Sequence, residues 1–122
     1  MSKKVLIVDD ATTMRELVKF TLTKAGFEVI AAEDGAIGLK AALEHKPDLV
    51  VTDLNMPNMN GLELAAQLKQ SDETKNIPIL MLTTEAGKDY AAKGKEIGIL
   101  GWIVKPFDPE KFSAAIKKVL AC

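Results

Sequence analysis

The chain of 122 residues has one cysteine, Cys122, at its last position. A single thiol closes no intrachain disulfide, which suits a reducing compartment. One histidine, His45, excludes a zinc site built on paired imidazoles. The serines are Ser2, Ser71 and Ser113, and none stands in a G-x-S-x-G context, which argues against a serine hydrolase. Arginine is scarce too, with Arg15 alone. The 16 Lys and Arg residues face 17 Asp and Glu, for a net charge of −1. The two halves are nearly balanced, so there is neither a polybasic surface for nucleic acid nor a charged tail. No run approaches the roughly 18 apolar residues of a membrane span. The apolar stretch Val5 to Val8 is too short for a signal peptide. A cytosolic protein without membrane insertion is expected.

The remainder is ordinary for one folded domain: 48% hydrophobic and 27% charged residues. A chain of this size buries about two thirds of its unfolded surface, enough for its own core, and leaves no room for a second full domain. Residues 1–122 are therefore read as one domain.

Short β-branched runs alternate with stretches of helical period. Lys4 to Val8 reads as a strand, interrupted by Asp9-Asp10. Met14, Leu17, Val18, Thr21, Leu22 and Ala25 form one helical stripe, closed by Gly26. Residues 27–31 are the second strand, and 35–45 a helix with Ala36, Leu39 and Leu43 inward. Asp34 reads as a turn residue. Strand three is 48–52, then Asp53 and a loop to Asn60. Helix three, 61–70, turns Leu64, Ala65 and Leu68 inward, and strand four is 77–82. Helix four, 87–97, has a poor apolar face of Tyr90, Ala91 and Ile97 and carries Gly94. Strand five spans 99–104, and Asp108 caps a last helix with Pro109 at its first position. Five β-α units in strict alternation predict an α/β domain with a parallel sheet covered on both faces.

In such a sheet ligands bind beyond the carboxyl ends of the strands. Strand one ends in Asp9 and Asp10, strand three in Asp53, strand four in Thr83 and Thr84, strand five in Lys105-Pro106. Singly, an Asp or Thr there is most often a cap or turn residue. Together they are an improbable coincidence. Gathered carboxylates repel, and a divalent cation relieves the conflict. All-oxygen ligands select Mg²⁺ over zinc. Lys105 suits an anionic oxygen such as a phosphate. Mg²⁺, a lysine and a hydroxyl around a carboxylate describe phosphoryl transfer, with the carboxylate itself as a possible nucleophile. Met56 and Met81 read as core filling.

The motifs Val5-Leu6-Ile7-Val8-Asp9-Asp10, Asp53-Leu54-Asn55-Met56-Pro57 with Gly61, Leu82-Thr83-Thr84-Glu85 and Trp102-Ile103-Val104-Lys105-Pro106-Phe107 resemble two-component response regulator receiver domains over essentially the whole chain. Within that family they look most like stand-alone chemotaxis regulators of the CheY type. The resemblance implies a doubly wound, flavodoxin-like (βα)5 domain of strand order 2-1-3-4-5, with no output domain and no DNA partner. It implies Asp53 as phosphoacceptor, and Asp9, Asp10, Asp53 and the Asn55 carbonyl as Mg²⁺ ligands. Thr83 and Lys105 would hold the phosphoryl group, and Trp102 would be the switch ring that turns inward when Thr83 moves. Asn55, Thr84 and Glu85 would modulate the lifetime. Thr84 is bulkier than the family's usual residue there and would slow hydrolysis, whereas Asn55 and Glu85 match rapidly resetting members. Lys105-Pro106 would be a cis peptide.

The implied protein is a monomeric switch that catalyses its own phosphorylation and dephosphorylation rather than an enzyme. Its donor would be a CheA-like histidine kinase, its target the flagellar motor switch or another protein that reads phosphorylation. A phosphorelay shuttle or phosphate sink shares the same site. An aspartyl-phosphate phosphatase is weaker, because the second acid of its D-x-D start is Asn55 here. A flavin carrier is weaker still, because Asp9-Asp10 would repel its phosphate.

Overall fold

The computed structural model describes residues 3–56, 58–84, 88–105 and 107–121, without the side chains of 88–91. In chain order the elements are β1 (Lys4–Val8), α1 (Thr12–Lys24), β2 (Glu28–Ala32), α2 (Gly35–His45), β3 (Leu49–Thr52), α3 (Gly61–Gln70), β4 (Ile79–Thr83), α4 (Lys88–Ile97), β5 (Gly101–Val104) and α5 (Pro109–Leu120). All strand pairs are parallel, and the order across the sheet is β2-β1-β3-β4-β5. This is the α/β architecture and the order that the resemblance implies.

Alternation along each strand divides the core between two faces. Leu6, Val8, Val50, Ile79 and Met81 pack with Ala42 of α2 and Leu64, Ala65 and Leu68 of α3. Val5, Ile7, Leu49, Val51, Leu80 and Leu82 pack with Val18 and Leu22 of α1 and Phe112 and Ile116 of α5. Met81 belongs to the first cluster and half-buried Met56 packs against it, as core filling requires.

Local signals set the helix ends. Asp34 accepts from Ile37 N at 2.8 Å, so it is the N-cap of α2 and not merely a turn residue. Asn60 and Glu63 form a reciprocal capping box at α3. Asp108 caps α5 ahead of Pro109. Gly26 follows α1 at φ 99, where a side chain is disfavoured.

Two expectations shift. The fully buried residues of α2 are Gly35, Gly38 and Ala42; Leu39 is half-buried against the first cluster as expected, Leu43 is half-buried, and Ala36 is exposed. A Cβ on Gly38 would lie 2.8 Å from Val8 Cγ2, so α2 approaches β1 closely at Gly38, while Gly35 lies against Met59. Leu17, read as part of the α1 core stripe, is 45% exposed. The strand boundaries otherwise move by one or two residues, as end residues do.

Candidate functional site

The strand register sets the site. Val8 lies opposite Thr52, so Asp9 and Asp53 leave the sheet at the same level. The ladder runs one step further: Asp53 N donates to the Val8 carbonyl at 2.9 Å, and Asp9 N to the Ala32 carbonyl at 3.1 Å. Lys105 N donates to the Thr83 carbonyl at 3.0 Å, which anchors the end of β5 to that of β4.

Asp9, Asp10 and Asp53 come together, each offering a carboxylate oxygen within 4.8 Å of the others. Lys105 Nζ donates to Asp9 Oδ2 at 2.8 Å and to Asp53 Oδ2 at 3.2 Å. Asp9 is 2% exposed, and its other oxygen accepts from Ala11 N at 2.9 Å. Asp53 Oδ1 accepts from Leu54 N at 2.7 Å. The Asp53 carboxylate is thus oriented from two sides, at the mouth of the loop that leads to α3. Gly61 closes that loop: its N donates to the Leu54 carbonyl at 2.8 Å, and a Cβ there would collide with the Asp53 carbonyl.

Burial by itself lowers the affinity of Lys105 for its proton. The hydrogen bond to Asp9 and the charges of Asp9 and Asp53 outweigh that, and its pKa lies above the ordinary 10.5. The lysine is therefore a fixed cation between two carboxylates.

Asp10 is exposed, and α1 starts at Thr12 behind Ala11 with no side-chain cap. Asp10 is therefore not the helix cap that its position would suggest. Thr83 is buried as the last residue of β4, and Thr84 is exposed beside it. Asn55 is exposed in the loop after Asp53. Trp102 is half-buried in β5, opposite Met81, and a Cβ on Gly94 would lie 3.0 Å from its Cζ2. Its ring thus lies beneath α4. Glu85, Pro106 and Cys122 fall outside the described residues, and the expected cis peptide falls there with Pro106.

One contributor escaped the sequence reading. Arg15 Nη1 donates to the Asp9 carbonyl at 2.8 Å and ties the turn bearing Asp9-Asp10 to α1. The only available signal was that it is the sole arginine.

Three carboxylates against one ammonium leave negative charge unmatched in this pocket. The donors are all hard oxygens. The set fits a hard divalent cation such as Mg²⁺ and does not fit zinc.

A family model, that of the response regulator receiver domain, matches residues 5–117. The chain belongs to the response regulator receiver family. This receiver is 38% identical over 120 residues to the phosphate regulon transcriptional regulatory protein PhoB of Pseudomonas aeruginosa, covering 98% of this chain and 52% of that protein. It thus spans about half the length of that relative. It is 37% identical over 119 residues to chemotaxis protein CheY1 of Helicobacter pylori, covering 96% of each. The crystallised chemotaxis protein CheY4 of Vibrio cholerae aligns with a TM-score of 0.93 at 40% identity, over 98% of this chain and 99% of that one. The receiver is thus CheY-like in fold. Among its described residues, no helix is long and apolar enough to cross a membrane.

Proposed function

We propose that this receiver accepts a phosphoryl group on Asp53 from the phosphohistidine of a CheA-like sensor kinase and signals by phosphorylation-dependent protein binding, in chemotaxis. The observation that carries this reading is the Asp53 carboxylate, held by Leu54 N and Lys105 beside Asp9 and Asp10.

An Asp53 oxygen attacks phosphorus in line, the P–O bond forms and the P–N bond breaks. The electron pair returns to the imidazole, which takes a proton. Lys105 loses little by releasing Asp53 Oδ2, because it gains a phosphoryl oxygen of higher charge. Asp9, Asp10, Asp53 and the Asn55 carbonyl would hold Mg²⁺, which when bound neutralises charge on the transferring group. The acyl phosphate adds about −1.5 to −2 charge by analogy with phosphate esters. Thr83 moves toward it and space opens for Trp102. The surface of α4, β5 and α5 then shifts its population between two states, and a partner that binds one better reads the signal. Water hydrolyses the acyl phosphate, with Thr84 restricting access and Asn55 and Glu85 assisting, and the switch resets without serving as an enzyme for other substrates.

The likeness to CheY1 of Helicobacter pylori and CheY4 of Vibrio cholerae supports chemotaxis, and the equal likeness to PhoB makes transcriptional control the competing role. The flagellar motor switch is then the leading partner. A phosphorelay shuttle or phosphate sink would use the same site without it. The deciding experiment is incubation with acetyl phosphate and Mg²⁺, followed by intact mass. A transient gain of one phosphoryl group is expected, absent in Asp53→Asn and in EDTA. No gain by folded protein would sink the reading. Phosphorylation-dependent binding to a motor-switch peptide then separates motor regulator from sink.

A further inference from the structure

Every polar group of Asp9 has a partner. Its N donates to the Ala32 carbonyl, its Oδ1 accepts from Ala11 N, its Oδ2 from Lys105 Nζ, and its carbonyl from Arg15 Nη1 at 2.8 Å. Asp10 is held differently. It is exposed and caps no helix, yet its carboxylate lies within 4.8 Å of those of Asp9 and Asp53. The link to Asp9 is covalent. Asp10 N and the Asp9 carbonyl share one peptide plane, so fixing that oxygen fixes the direction in which Asp10 leaves. The helix that carries Arg15 is poor in starting signals. α1 has no side-chain cap and no acid in its first turn, and Arg15 puts a cation near the end where the helix dipole disfavours one. Among the described residues its guanidinium makes no ion pair. Arg15 thus serves the turn after β1 rather than its own helix.

We propose that Arg15 is a positioning residue for the divalent cation: by holding the Asp9 carbonyl it sets the direction of Asp10, and so the affinity of the three-carboxylate cluster for Mg²⁺. The role rests on the reading of that cluster as a Mg²⁺ site. The repulsion among the carboxylates is then overcome when the chain folds, not when the ion arrives, which is the advantage of preorganised ligands. A charged donor makes the stronger bond to a carbonyl, which suits a clamp at a half-buried position. One guanidinium has two opposed effects on the ion. As a nearby positive charge it repels Mg²⁺, and its loss would tighten binding. As the clamp of the Asp9–Asp10 peptide it orients a ligand, and its loss would weaken binding. Outer-shell partners of metal ligands are worth about 10–100-fold in affinity. A solvent-screened charge outside ion-pair distance is worth less than about fivefold. The clamp wins, so removing a positive charge beside the site weakens the binding of a cation.

Mg²⁺ titration of the full chain, followed by amide chemical shifts in proton–nitrogen NMR spectra, reads the Kd without any phosphorylation. Arg15→Met keeps the aliphatic stem and loses the donor, and is expected to raise the Kd about tenfold. Arg15→Gln is too short to reach the carbonyl and should match it. Lys19→Met removes the same charge from an exposed position one turn further along α1 and should leave the Kd unchanged or slightly lower. Thermal melts in EDTA check that each variant is folded. A merely structural role for Arg15 would lower the melting temperature and leave the Kd of the folded chain where it was. An unchanged or lowered Kd in either Arg15 variant overturns the proposal, as does a loss in Lys19→Met equal to that in Arg15→Met. A wild type that binds no Mg²⁺ removes the metal reading and this role together. A wild type that binds, beside Arg15 variants that bind equally well, removes this role alone.

Discussion

β4 and β5 are neighbours in one sheet, paired from Leu80–Gly101 to Thr83–Val104. Every residue of β4 is buried, and none of β5 is. The helices beside them differ in the same way. α3 carries a capping box and buries Leu64, Ala65 and Leu68, whereas in α4 Gly94 faces the Trp102 ring. β4 lies inside the sheet and β5 at its edge, so β5 has pairing on one side only. Yet the two strands jointly deliver Thr83 and Lys105 to the site. A site anchored on the rigid strand and read out through the loose one has a natural direction for a signal. The free energy of local opening is low where few apolar contacts are buried, and that is where a movable element belongs.

The largest effects should come from breaking this contrast at its rigid end. Ile79→Ala in β4 is expected to cost about 3–4 kcal/mol in urea unfolding, as for a fully buried aliphatic side chain. Ile103→Ala, half-buried in β5, should cost only about 1 kcal/mol by the same measurement. Equal losses would mean that β5 is no looser than β4.

Crowding the loose end comes next. Gly94→Val forces the new side chain into the Trp102 ring and should cost about 2 kcal/mol of overpacking. Tryptophan emission should move to the red as the ring is displaced. Unchanged emission would mean that the ring does not depend on the missing side chain at Gly94.

Smaller effects probe the charge at the site. Asp10→Asn removes one of three clustered carboxylates, and in EDTA it should raise stability by about 0.5 kcal/mol, since the residue is exposed. Mg²⁺ should raise the melting temperature of the wild type and not that of the variant. Smallest is the alkaline response of Lys105. Its folded pKa lies above 10.5, so its stabilising contribution is complete below pH 10.5 and falls as pH rises through the folded value. The stability difference between wild type and Lys105→Met should therefore shrink above pH 10.5. A difference that stays constant would show that the ammonium is not held by Asp9 and Asp53.

Much of this was legible without coordinates, for reasons that differ by residue. Asp9, Asp10, Asp53, Thr83 and Lys105 each end an apolar run, and the ends of parallel strands share one edge whatever the helices do. The inward face of α2 was read only in part: Leu39 does pack against the first cluster, but Ala36 is exposed, and the glycines carry no apolar signal. Close approach selected Gly35 and Gly38 instead. Leu17 fits the α1 stripe by period but lies at its margin, beside α5 rather than over the sheet. Arg15 could not be placed, because it acts on a backbone carbonyl, and nothing in a residue's type reports that.

The sequence by itself determined the α/β class, the element order and the strand-end residues, because periodicity, caps and breakers act within a few residues of chain. Only the tertiary structure decided which Asp9 oxygen meets Lys105, that Asp10 is free of a capping role, that Trp102 lies under Gly94, and that Leu17 and Phe20 remain on the surface. Those outcomes depend on distances between segments far apart in the chain, which are set by how closely helices and sheet can pack.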